Sequence, residues 1–275
     1  QPQNESNASL SRLMIGAEPA ALEHRPAQAG DVVLQVRDLL LPRQDAFGVD
    51  LIDVSLQVRS GEVVGIAGVS GNGQQELLRA LSGEDTRAQP AMVQVTGQDV
   101  ARLGPQQRRA LGLHFVPEER LGRGAVPTMG LAHNLLLTRS DAVGAMGWLH
   151  LGQLKAQARA IIERFGVKAG GADAPARSLS GGNLQKFIVG REIAAQPKLI
   201  IIAQPTWGVD VGAAAQIHAE ILALRDAGCA VLIVSEELDE LFELSDRLYV
   251  LAKGHLSPSV ARADATVQQV GEWMS

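Results

Sequence analysis

The stretch Val63-Val64-Gly65-Ile66-Ala67-Gly68-Val69-Ser70-Gly71-Asn72-Gly73-Gln74-Gln75 decides how this chain folds. Val63 to Ala67 carries no polar side chain, which suits a parallel strand covered on both faces. Glycines follow, and a helix is predicted from Glu76 to Leu81. A strand that turns through glycines into a helix aims successive backbone N–H groups inward as an anion nest, and the helix N-terminus adds partial positive charge. The glycines Gly68 and Gly73 fit the phosphate-loop spacing G-x-x-x-x-G-K-[ST]. Gln74, however, stands where a lysine would reach the β- and γ-phosphates, and Gln75 where a hydroxyl would hold Mg²⁺. A charge-assisted hydrogen bond is worth about 1.5–3 kcal/mol, so losing the lysine alone weakens nucleotide binding by about one to two orders of magnitude. Gly68, Ser70, Gly71, Asn72, Gly73, Gln74 and Gln75 are the candidate nucleotide-binding residues.

Outward from that strand, apolar runs recur at Leu199 to Ala203, Val231 to Val234 and Leu248 to Ala252, each read as a further parallel strand. Earlier in the chain the pattern has period two: Leu34 and Val36 alternate with Gln35 and Arg37, and Val54, Leu56 and Val58 with Asp53, Ser55, Gln57 and Arg59. Such alternation predicts half-buried antiparallel strands. Between Gly130 and Gly166 the period becomes helical, with Leu151, Leu154, Ala158, Ile161, Ile162 and Phe165 on one face. The expected fold class is α/β: a doubly wound parallel core sheet, an antiparallel β subdomain and an inserted α-helical subdomain, with ligands beyond the carboxyl ends of the strands.

Composition narrows the function. The chain has 275 residues, enough for a sizeable core, which excludes a small disulfide-stapled scaffold. Hydrophobic residues make up 46% and charged residues 20%, which excludes a disordered chain. With 25 Lys plus Arg against 30 Asp plus Glu, the net charge of -5 argues against binding nucleic acid by bulk electrostatics. Aromatic residues, 3% of the chain, are too few for a base-stacking platform. Cys229 is expected to be a buried structural thiol, and the histidines show no metal-ligand spacing, so no protein-held metal is expected. No apolar run approaches the ~20 residues that cross a bilayer, and no signal peptide is visible.

Leu179-Ser180-Gly181-Gly182-Asn183-Leu184-Gln185-Lys186 precedes a helix with Leu184, Phe187 and Ile188 on one face. Ser180 can cap that helix while the glycines admit an anion close to the backbone. The string resembles the signature of ATP-binding cassette (ABC) proteins. Lys198 to Thr206 and then Gly208-Val209-Asp210 are similar to that family's Walker B strand and D-loop. More narrowly, Val116-Pro117-Glu118-Glu119-Arg120, Pro205-Thr206-Trp207-Gly208-Val209-Asp210-Val211-Gly212 and Val234-Ser235-Glu236-Glu237-Leu238 make the chain resemble the second cassette of two-cassette ATPase subunits that energise simple-sugar and nucleoside importers.

The resemblance implies a P-loop ABC nucleotide-binding domain over residues 32–275, with the helical subdomain at roughly 117–189 touching the permease. Residues 1–31 would then be a linker and the remnant of a preceding cassette, which accounts for the lack of a starting Met. In this family two cassettes close head to tail, so that one half's signature completes the ATP site of the other. Ser180, Gly181, Gly182 and Asn183 would therefore face ATP held by the partner half, with Asp210 at the same interface. The expected partners are that preceding cassette, membrane permease subunits and, indirectly, an extracytoplasmic solute-binding protein, with no nucleic acid. The expected place is the cytoplasmic face of the membrane.

The family's catalytic carboxylates fall at Ala203 and Gln204, its switch histidine at Glu236, and its Q-loop glutamine near Val116, with Glu118 close by. Alanine cannot ligate a hard cation, and an amide cannot act as a general base. The expected cofactor is ATP, with Mg²⁺ not held by this half's own site. Two further readings stay open: an autonomous Mg-ATPase using Glu236 as a substitute base, and a nucleotide-free structural module in which Gln74 and Gln75 fill the phosphate site. Phe47 is a candidate to stack on adenine, and Trp207 either packs within the fold or meets the partner half.

Overall fold

The computed structural model describes residues 28–139, 144–145 and 148–274. Most of the expected linker, residues 1–27, lies outside the described residues.

The period-two segments form the expected antiparallel sheet. Strands β1 (Val32–Leu41), β2 (Leu51–Arg59), β4 (Val93–Val95) and β5 (Gln98–Asp99) lie in the order β2-β1-β4-β5. Leu34, Val36, Val54, Leu56 and Val58 are buried while Arg37, Asp53, Ser55 and Arg59 face outward. The pleat thus sends every second side chain to one core.

The continuous apolar runs form the second sheet. Strands β3 (Val63–Ala67), β6 (Leu113–Val116), β9 (Leu199–Ala203), β10 (Ala230–Ser235) and β11 (Arg247–Ala252) are mutually parallel, in the order β11-β3-β10-β9-β6. The edge differs from a purely parallel sheet. Short strands β12 (His255–Leu256) and β13 (Val260–Ala261) pair antiparallel with β11. Two cores explain the unbroken hydrophobicity. Val63, Ala67, Ile200, Ile202, Val231 and Ile233 belong to one hydrophobic cluster, and the alternate residues Val64, Ile66, Leu199, Ile201, Ala230 and Leu232 to the other. Each strand is buried from both sides, so neither face needs polar residues.

Helix α1 (Gln74–Ser82) starts earlier than the predicted Glu76, at Gln74 itself. It is followed along the chain by α2 (Pro105–Ala110), α3 (Leu131–Asn134), the strand pair β7 (Gly144–Ala145) and β8 (Trp148–Leu149), and α4 (Leu151–Arg164). Helices α5 (Gly181–Ala194), α6 (Val211–Asp226), α7 (Leu238–Leu244) and α8 (Val267–Trp273) follow. Leu154, Ala158 and Ile161 of α4 are buried as the helical period predicts, whereas Leu151 stays 47% exposed. Phe165 then packs directly on α5, where a Cβ at Gly190 would lie 2.6 Å from its ring.

A buried ion cluster joins α5 to the sheet edge. Glu192, fully buried, accepts from Arg109 of α2 (2.5 Å) and Arg191 (2.8 Å), and lies 2.8 Å from Nδ1 of His114 on β6. Burial alone would push its carboxyl up, but Arg191, His114 and Arg109 hold it down at about 2.

Candidate functional site

Gly73 enters α1 with φ 108°, a left-handed conformation that glycine adopts without the Cβ clash. The turn folds the next side chain back into its own loop. Nε2 of Gln74 donates to the carbonyl of Val69 (2.8 Å), and Oε1 of Gln74 accepts from the backbone N–H of Asn72 (3.0 Å). Gly68 makes room for this: a Cβ there would lie 2.3 Å from Gln74 Nε2. Asn72 braces the same turn, donating from Nδ2 to Val69 O (2.9 Å) and accepting at Oδ1 from the N–H of Lys253 (2.8 Å). The loop therefore satisfies itself with amide groups. An N–H of the expected nest is already occupied, and the Gln74 amide lies across the cradle.

Gln75 and Ser70 are exposed. Of the two glutamines that the nucleotide-free reading would place in the loop, Gln74 alone enters it. The backfold escapes a motif comparison, which records a missing cation. The residue's own inventory carries the signal, because a glutamine at this spot offers a donor and an acceptor to a turn that has both groups to satisfy.

At the end of β9, Ala203 is buried and Gln204 is 8% exposed, with φ 49°. Oε1 of Gln204 accepts from the N–H of Glu236 (3.3 Å) and lies 3.3 Å from Ser235 Oγ. Gln204 thus ties the end of β9 to the turn after β10. Behind it sits a group that the sequence reading missed. Buried Glu240 accepts from Thr206 Oγ1 (2.6 Å) and Ser235 Oγ (2.8 Å), and lies 3.1 Å from Nε2 of His218. This locks the start of the D-loop segment to α7. Glu236 is exposed, as is Glu118, which follows β6. Partial burial, then the charges of Glu119 and Glu236, push the Glu118 carboxyl above its ordinary value, despite Arg123.

The signature segment is built as its residue types predict. Ser180 caps α5, accepting at Oγ from the N–H of Asn183 (3.4 Å) and from Asn183 Nδ2 (2.8 Å), while Asn183 Oδ1 accepts from the N–H of Lys168 (2.7 Å). Asp210 caps α6 through the N–H of Ala213 (2.9 Å). The two segments adjoin: a Cβ on Gly182 would make ordinary contact, at 3.6 Å, with Val209. Trp207 is 58% exposed and Phe47 is 98% exposed. His114 and His218 are buried against carboxylates rather than grouped with one another. Among the described residues, no group of three or more His, Cys, Asp or Glu side chains is placed to hold a metal ion.

The ABC transporter family model matches residues 51–207, from β2 through the segment after β9. The chain is 38% identical over 270 residues to the guanosine import ATP-binding protein NupO of Bacillus subtilis (strain 168), covering 97% of this chain and 52% of that protein. It is 36% identical over 271 residues to the nucleoside import ATP-binding protein NupA of Lactococcus lactis subsp. cremoris (strain MG1363), covering 98% and 53%. The chain thus spans about half the length of the curated relatives it matches. In three dimensions it resembles a nucleotide-free ATP-binding cassette from an ABC transporter, with TM-score 0.71, 22% identity, and coverage of 88% of this chain and 98% of that one. With the family model spanning 51–207 of 275 residues and the solved cassette superposing on 88% of the chain, the chain belongs to the ABC transporter family and adopts its P-loop cassette fold.

Proposed function

We propose that this chain is the C-terminal cassette of a two-cassette subunit for sugar or nucleoside import, and that it acts mainly through its signature face. Its own phosphate loop holds ATP weakly and without Mg²⁺, while Ser180, Gly181, Gly182 and Asn183 close over ATP carried by the preceding cassette. The carrying observation is the asymmetry between the two faces. Gln74 bonds across the phosphate loop and Walker B ends in Ala203 and Gln204, whereas Ser180 and Asp210 cap their helices as a working signature and D-loop require. Sugar or nucleoside import is supported by relatives such as the guanosine and nucleoside import proteins above and a ribose import ATP-binding protein of Rubrobacter xylanophilus, 36% identical over 263 residues.

On this reading the chain works at the cytoplasmic face, against permease subunits that a solute-binding protein serves from outside, with the insert at roughly 117–189 as the contact. No helix among the described residues is long and apolar enough to cross a membrane by itself. ATP bound between the halves would draw them together, and the insert would transmit that closure.

The test is ATP turnover by the two-cassette polypeptide. Gly182→Asp, which sets a charge on the signature face, is expected to lower turnover by about tenfold or more, the scale of losing preorganised electrostatic stabilisation. Gln74→Ala is expected to leave turnover within about twofold, because the loop it alters is not the hydrolysing one. The opposite pattern would sink the proposal. The nucleotide-free reading is favoured by one observation, the Gln74 backfold, and predicts no nucleotide contact by this chain even at the interface, so that neither variant changes turnover.

A further inference from the structure

Arg120 closes the Val116-Pro117-Glu118-Glu119-Arg120 string and is half-buried, yet no carboxylate lies within ion-pair distance of it among the described residues. Arg123, Arg191 and Arg247 are different: each has a carboxylate oxygen within 2.9 Å. Partial burial without a counter-ion is unfavourable for a guanidinium, and burial alone lowers the pKa of Arg120.

The side chain is nonetheless held in place. Its Nε donates to Gln185 Oε1 (3.1 Å), and Gln185, 1% exposed, donates in turn to the carbonyl of Pro205 (3.0 Å). The guanidinium carbon lies 5.8 Å from the ring centroid of Trp207. The terminal nitrogens are thereby brought to the signature. A Cβ on Gly181 would lie 2.7 Å from Nη1, and one on Gly208 would lie 3.6 Å from Nη2. One planar cation therefore lies between the signature and the D-loop, and among the described residues only its Nε has a hydrogen-bond partner.

We propose that Arg120 is a phosphate-contacting residue, presented on the signature face to bind the terminal phosphate of ATP held on another cassette's phosphate loop. The proposal rests on the reading that this signature completes a partner's site. A guanidinium suits the task because it stays charged and matches phosphate oxygens with paired donors. Trp207 and Gln185 supply the preorganisation that lets such a donor act on developing charge. The other source of an anion at this spot is a carboxylate of the facing half, and the test separates the two.

In the two-cassette polypeptide, Arg120→Ala is expected to lower kcat for ATP by about tenfold or more, a modest share of what guanidinium donors supply in phosphoryl transfer. KM is expected to change less, the unfolding midpoint to stay at the parent value, and free guanidinium ion, or the Arg120→Lys variant, to restore part of the turnover. A kcat within about twofold of the parent overturns the proposal. So does a loss that neither guanidinium nor lysine restores, which would mark a positional role, or a variant whose binding of ADP weakens as much as its binding of ATP, which would mark a carboxylate partner in place of the terminal phosphate. Gly182→Asp is run alongside. If it abolishes turnover while Arg120→Ala does not, only the role of Arg120 fails; if both are silent, the signature reading itself fails.

Discussion

At the scale of single residues, Gln74 changes the meaning of the phosphate loop. Its amide spans the loop from Val69 O to the Asn72 N–H, so any bound phosphate must first displace two hydrogen bonds, each worth about 0.5–1.5 kcal/mol net. Gln74→Lys removes the crosslink and returns the cation, and is expected to tighten ATP binding to the isolated chain by about tenfold or more in calorimetry. An unchanged affinity would show that the loop is closed for another reason. Cys229 gives a second prediction at this scale. Burial pushes its thiol up to about 12, so it should resist alkylation in the native chain and react once denaturant opens the fold. The burial of Cys229 is legible from the glycine and apolar run beside it. The Gln74 rotamer is not, because loop geometry rather than residue order decides where an amide with both donors and acceptors turns.

At the scale of elements, the strands are legible because burial dictates their pattern. β1 and β2 alternate because one face packs inward; β3, β9 and β10 do not because their alternate residues feed two cores. Helix α5 is legible at its start, from Ser180, but not at its end, where Arg191 and Glu192 look like an ordinary solvated pair. They are buried because Arg109 and His114 arrive from α2 and β6, and nothing local announces such distant partners. Glu192→Ala leaves Arg109 and Arg191 without their carboxylate and should cost about 3–5 kcal/mol in denaturant unfolding. The pH dependence has a fixed sign. The folded pKa of Glu192, about 2, lies below its ordinary 4.5, so its stabilisation is present above 4.5 and is lost as pH falls toward 2. Thermal melts across that window should show the parent losing stability on acidification and Glu192→Gln losing less of it.

At the scale of the whole molecule, the described residues carry the cassette fold, and on the proposed reading its chemical centre is altered. The glycine turn, the parallel strands and both caps remain, while the positions that would carry cation, metal ligand and base hold Gln74, Ala203 and Gln204. That division suits a protein whose two faces serve different sites. The measurement that tests it most directly is titration of the isolated chain with ATP, with and without Mg²⁺, with phosphate release followed in the same samples. The account predicts weak binding that Mg²⁺ barely changes, and no turnover above a heat-inactivated control. Tight, Mg²⁺-dependent binding with sustained phosphate release would contradict it and make this chain an ATPase in its own right.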